Sequence, residues 1–137
     1  MVKEDVAYAT CKEEVENILA DFRNRDIPVA VINEHLQGDL VKFYGVHGTD
    51  FFYWFYPSPC SHSKFGLEKI NGIAKGIPFS VEELKIQSDK AAEALNVPIY
   101  GGDCVVSADG TLRIIDFNDW PSFARCREEA GGKIAEC

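Results

Sequence analysis

Asp103, Asp116 and Asn118 are three hard oxygen ligands whose spacing puts them on one face of a hairpin. Residues 100–121 read Tyr-Gly-Gly-Asp-Cys-Val-Val-Ser-Ala-Asp-Gly-Thr-Leu-Arg-Ile-Ile-Asp-Phe-Asn-Asp-Trp-Pro, two β-rich runs around Asp109-Gly110. A tight two-residue turn favours positive φ at its centre, so Asp-Gly between such runs signals a hairpin. With Asp109 and Gly110 as the loop, Ala108 pairs with Thr111, and counting back along the ladder sets Asp103 opposite Asp116. Asn118 follows Asp116 by two residues and shares its face. Like charges directly opposite destabilise a sheet, and a Mg²⁺ or Mn²⁺ ion on these oxygens would remove the repulsion. Two alternatives stand beside this reading. The acids could be solvated surface groups, and a three-residue loop would part them unless a bulge restores the register.

The elements that must position these residues follow from pattern. Residues 2–9 read as a strand. Thr10 to Glu13 is a capping box that opens a helix with an apolar stripe of Val15, Ile18, Leu19 and Phe22, stopped by Pro28. The apolar run 29–32 has the mark of a strand buried on both faces, and Gln37-Gly38-Asp39 is a turn by composition. Residues 40–46 and 51–56 are two aromatic and β-branched strands, followed by a long connection over 57–79 with a short helix near 67–70. Within that connection, 61–64 is a polar stretch that could touch a substrate. Ser80 to Glu83 is a second capping box, starting a helix through about Asn96, and a last helix runs from roughly Ser122 to Gly131-Gly132. The expected class is α+β: an antiparallel sheet crossed by helices that bury Ile18, Leu19, Phe22, Leu84, Ala92 and Leu95.

The string Asp103…Ile115-Asp116-Phe117-Asn118-Asp119-Trp120-Pro121-Ser122 resembles the closing motif of the ATP-grasp superfamily. The likeness is closest to the branch of inositol phosphate kinases and RimK-like or glutathione-synthetase-like ligases. Residues 29–46, Val-Ala-Val-Ile-Asn-Glu-His-Leu-Gln-Gly-Asp-Leu-Val-Lys-Phe-Tyr-Gly-Val, look like the hinge of that family. The resemblance implies that backbone groups of Asn33, Glu34, His35 and Leu36 meet the adenine edge of ATP and that Asp39 holds the ribose. It implies that Lys42 stabilises the transferred phosphate, that Asp103, Asp116 and Asn118 hold Mg²⁺ or Mn²⁺, and that Ser122, with amides at the last helix N-terminus, binds an acceptor phosphate or carboxylate.

Residues 1–36 would then be part of the smaller, nucleotide-covering lobe, a strand-helix-strand unit ending in the hinge, and 37–137 the larger lobe with the metal hairpin. The implied activity is transfer of the ATP γ-phosphoryl group to a carboxylate or hydroxyl, as in a ligase or a small-molecule kinase. Nothing in the chain matches the family's Gly-rich loop and phosphate lysine, so the sequence looks like the C-terminal part of a longer enzyme and incomplete as a catalyst alone. From the other class of reading comes a non-catalytic binding or assembly module with a vestigial nucleotide site. Its support is the missing lysine loop and the run Phe51-Phe52-Tyr53-Trp54-Phe55-Tyr56. An apolar edge beside 2–9 would pair with a second copy, giving a homodimer, or with the missing N-terminal half.

A net charge of −8 speaks against nucleic acid as a partner, because phosphate-backbone binding needs a clustered basic face. It leaves ATP open, since divalent ions carry phosphates into acidic clefts. No apolar stretch is long enough to span a bilayer and no signal peptide is visible, so no membrane partner and a cytoplasmic location are expected. The cysteines, at 11, 60, 104, 126 and 137, are odd in number and unclustered, which points to reduced thiols, with Cys104 in the core.

Overall fold

In the computed structural model, which describes residues 5–57 and 72–136, four antiparallel strands form one sheet. They are β1 (Asp39–Val46), β2 (Phe52–Phe55), β3 (Ile99–Val106) and β4 (Leu112–Asp119), lying in the order β2-β1-β3-β4. With helices α1 (Lys12–Asn24), α2 (Val81–Leu95) and α3 (Arg127–Ile134) they make the α+β layout expected from the sequence. The pairing that closes the sheet joins β1 to β3 over eight residue pairs, from Asp39↔Val106 to Val46↔Ile99.

Each face of the sheet has its own core. Val41, Phe43, Tyr100, Cys104 and Val106 point to one side and meet Leu84 and Ala92 of α2. Val46, Phe51 and Ile99 point to the other and meet Phe123, Cys126 and Ala130. Ser80 caps α2 as expected, its hydroxyl accepting the Glu83 N–H at 3.1 Å, and Asn96 closes the helix in the left-handed region at φ 55°. The buried Tyr100 hydroxyl donates to Asp89 of α2 at 2.7 Å, tying helix to sheet. Leu95, expected in the core, is exposed, because the buried positions Leu84, Ser88 and Ala92 recur every four residues and Leu95 falls off that stripe.

The hairpin between β3 and β4 reaches the expected acid pair by the other route. Ser107 N–H bonds the Thr111 carbonyl at 2.9 Å and Gly110 N–H bonds the Ser107 carbonyl at 2.8 Å, so the loop has three residues and not two. Gly110, at φ 81°, supplies the left-handed residue that such a loop needs. That loop alone would have sent the acids to opposite faces. A bulge then restores the register: Cys104 pairs with Ile114 and Asp103 with Asp116, leaving Ile115 as the extra residue.

The N-terminal region departs most from expectation. None of residues 5–9 is in a strand, and 2–4 lie outside the described residues. Residues 29–32 are not a strand either; Val29, Val31 and Ile32 are 77%, 81% and 67% exposed. Helix α1 is present without either flanking strand and buries no residue fully, with Ile18, Leu19 and Phe22 only half-buried. An apolar run becomes a buried strand only where a ladder and a facing layer exist, and no strand of the sheet lies beside this one. The cap is also shifted by one residue, with Glu14 accepting from the Thr10 N–H and hydroxyl at 2.6 and 2.8 Å.

Helix α3 starts at Arg127, later than Ser122, and runs through Gly131 and Gly132. Trp120 and Phe123 take positive φ of 42° and 47°, which no helix tolerates, so residues 120–126 form a turn instead. Each helical glycine costs about 1 kcal/mol relative to alanine. Burial of Ala130 and packing of Ile134 against the second core carry the helix past that cost. The expected short helix at 67–70 and the polar stretch at 61–64 lie outside the described residues. No helix among the described residues is long and apolar enough to cross a membrane.

Candidate functional site

Strand register lines up four residues in one row across the sheet: Phe55 of β2, Lys42 of β1, Asp103 of β3 and Asp116 of β4. The adjacent row on the same face is Tyr53, Tyr44, Gly101 and Asn118. The constellation of Lys42, Asp103, Asp116 and Asn118 is therefore assembled as expected. Two glycines make room for it. A side chain at Gly101 would run into Tyr44 and Pro121, and one at Gly102 would collide with the Asp116 carbonyl, so β4 could not lie close against β3.

The polar contacts in the row are specific. Lys42 Nζ donates to both Asp103 oxygens, at 2.8 and 2.9 Å, with the two side chains 31% and 23% exposed. The cation that offsets the facing acids in this structure is thus a lysine ammonium. Asn118 Nδ2 donates to Asp116 Oδ2 at 2.6 Å, which orients that carboxylate and leaves the amide oxygen without a hydrogen bond among the described residues. No group of three or more His, Cys, Asp or Glu side chains among the described residues could hold a metal. Two carboxylates and an amide oxygen still fit Mg²⁺, which commonly takes one or two carboxylates and completes its shell with water and substrate phosphate. Each Asp103 oxygen has a second lone-pair direction beside its Lys42 contact.

The remaining expected residues fall elsewhere. Asp39 is 3% exposed and its two oxygens accept the Lys75 and Ile77 N–H groups, each at 2.8 Å. Burial pushes its carboxyl up, but the N–H groups of Ile77, Lys75 and Gly76 outweigh that and hold it below the ordinary value. Each oxygen accepts one N–H group and keeps a second lone-pair direction. Asp39 shares a face with Val41 and Phe43, whereas Lys42 lies on the other. Of the hinge residues Asn33, Glu34, His35 and Leu36, only His35 lines the neighbouring open cleft of about 380 Å³, together with Tyr8, Gln37, Asp39, Lys75 and Ile77. His35 is exposed and meets Tyr8 edge-on at 5.0 Å. Ser122 is exposed and lies five residues before α3, so it has no helix N-terminus to work with.

Arg125, which motif reading passed over, lies beside the row. Its guanidinium lies 4.2 Å from the centroid of the Phe55 ring, at the basic end of the row. The only sequence signal for it was an arginine shortly after the Asp-x-Asn strand. Cys104 is buried as expected, and burial pushes its thiol up to about 11, which keeps it protonated and inert. Cys11, Cys104 and Cys126 are free thiols; Cys60 and Cys137 lie outside the described residues. Comparison with known proteins returned no matching family model, no matching curated protein and no matching solved structure.

Proposed function

We propose that the Lys42 face of the sheet binds a divalent metal–ATP complex and supports transfer of the γ-phosphoryl group to a carboxylate or hydroxyl, in the manner of an ATP-grasp ligase or small-molecule kinase. The observation that carries this reading is Asp103 directly opposite Asp116, with Asn118 on the same face, in a register that a bulge restores after a loop that would have broken it. Bulges are enriched beside active sites, where they re-aim side chains. A solvated pair of acids would not need one.

Asp103, Asp116 and the Asn118 amide oxygen would hold Mg²⁺ or Mn²⁺, which would supply charge neutralisation for the phosphate oxygens. Lys42 is the residue that moves. Its ammonium sits on Asp103 in the free chain and would turn from that carboxylate toward phosphoryl oxygen as nucleotide arrives. Asn118 keeps Asp116 oriented throughout. Asn33 and Glu34 make no hydrogen bond within the described residues, which leaves their backbone groups for an adenine edge. A carboxylate acceptor would make the chemistry that of a ligase and a hydroxyl acceptor that of a kinase. Thermal unfolding with a non-hydrolysable ATP analogue tests the reading, because a ligand of the native state raises stability by mass action. The expected result is stabilisation by the analogue only when Mg²⁺ or Mn²⁺ is present. Stabilisation that ignores the metal, or none, would overturn it.

A second reading, a non-catalytic assembly module, has its own observation. Residues 28–34 make no hydrogen bond within the described residues and expose Val29, Val31 and Ile32. An unpaired, exposed apolar segment of that kind invites a second chain. The aromatic run gives this reading less support than its composition did, because Phe52 and Trp54 pack against one core and Phe51 and Tyr53 belong to the other. Light scattering should show a homodimer under this reading, and a monomer at high concentration would contradict it.

A further inference from the structure

We propose that Arg125 and Lys42 together form an oxyanion-binding position, floored by the Phe55 ring, that takes the carboxylate or phosphate group of a small-molecule acceptor. Within the described residues Arg125 makes no ion pair and no hydrogen bond, and its guanidinium lies over the face of Phe55. The chain around it is acidic, with 22 Asp and Glu against 14 Lys and Arg, yet no carboxylate has been drawn to this guanidinium. A stacked guanidinium keeps its edge N–H groups pointing outward, in the planar fork that matches a carboxylate or phosphate.

The placement is built into the fold. Phe55 and Lys42 are Cα partners on neighbouring strands, so their side chains rise side by side from one face. Phe55 is itself braced by Tyr44 and Tyr53, with ring centroids at 5.7 and 5.9 Å. The turn that carries Arg125 is pinned by buried Phe123, which packs on Tyr44 at 5.3 Å and Phe51 at 6.3 Å. Non-glycine residues at positive φ, here Trp120 and Phe123, persist only where the surroundings hold them. The Lys42 ammonium has three N–H groups and gives two directions to Asp103, which leaves it a donor for an anion bound beside Arg125. Across the row, charge then runs from Arg125 and Lys42 to Asp103 and Asp116. An anionic acceptor is drawn to the first pair while the second pair serves a metal, and the lysine between them faces both.

Calling the occupant an acceptor rests on the phosphoryl-transfer reading, whereas the anion position does not, so the test uses neither metal nor nucleotide. Inorganic phosphate and malonate are each titrated into the protein at fixed ionic strength, with sodium chloride as the control, while NMR follows the Arg125 side-chain Nε–H resonance in the parent and the backbone amide resonances of residues 42, 55 and 125 in parent and variant alike. Saturable binding of either probe that shifts these resonances, and that weakens roughly tenfold to hundredfold in Arg125→Gln, is the expected result. Binding of phosphate alone assigns a phosphate ester, and binding of malonate alone assigns a carboxylate. Arg125 is exposed, so the substitution leaves both cores intact and a folded variant is expected. The proposal is overturned if neither probe shifts the resonances beyond sodium chloride, or if Arg125→Gln binds as well as the parent.

Discussion

The sheet and the N-terminal region are written in similar residues and end up in different physical states. From Asp39 onward, β1 is paired on both sides and its apolar residues meet α2 on one face and Phe123 on the other. Before Asp39, α1 has an equally plain apolar stripe but buries none of its residues fully, and residues 28–34 belong to no ladder. The difference is partnership. An apolar side chain gains about 25 cal/mol for each Å² removed from water, and the gain needs a second surface. In the sheet each strand is that surface for the next. Around Val29, Val31 and Ile32 nothing among the described residues plays the part, so the pattern goes unused.

The contrast should appear in stability, most strongly at Phe43. This ring is fully buried between Phe52, Tyr100 and Phe117, and Phe43→Ala should cost about 3–5 kcal/mol in urea unfolding. A smaller loss, comparable with that of a surface change, would mean that the sheet core is looser than its packing indicates.

Asp39 comes next, because it stands at the boundary of the two regions and clamps residues 75–77 onto the sheet. Asp39→Asn should cost about 2 kcal/mol near neutral pH, since one of two buried N–H groups would then face an amide donor. The folded carboxyl sits below its ordinary value of 3.8, so its stabilisation is present in full above that pH and is lost as pH falls through the depressed folded value. The stability gap between parent and variant should therefore close in acid. A gap that persists there would show that the carboxylate charge is not what holds the clamp.

The smallest effect is expected at Val31, whose 81% exposure leaves little to lose. Val31→Ser should change monomer stability by less than about 0.5 kcal/mol. A larger loss would mean that a second chain covers this segment in solution, and would favour the assembly reading.

Legibility of the sequence followed the range of the interactions. The four strands and the bounds of α1 and α2 were readable because alternation, caps and turn residues are local. The acid pairing was readable as well, though by an incomplete route: Gly110 closes a three-residue loop, and the bulge at Ile115 leaves no mark in composition. Strand parity separates Asp39 from Lys42 by an odd step and puts the two on opposite faces of the sheet. The Lys42–Asp103 ion pair depends on β1 lying next to β3, and no local signal sets that neighbourhood. Arg125 depends on the path of residues 120–126, where Trp120 and Phe123 adopt backbone angles that their side chains disfavour. Residues 29–32 misled for the opposite reason, since an apolar run states a need for burial and does not supply the cover.

The functional account stands on the Asp103–Asp116 pair as a metal site, and calorimetric unfolding of the parent and of Asp116→Asn, with and without Mn²⁺, addresses it. Asp116 is exposed, and its removal relieves a like-charge contact while Lys42 stays on Asp103. The variant without metal should therefore melt at or above the parent. Mn²⁺ should raise the melting temperature of the parent and leave the variant unmoved. If the parent shows no shift with Mn²⁺, or if the variant shifts equally, the acids serve the sheet or the solvent and hold no metal.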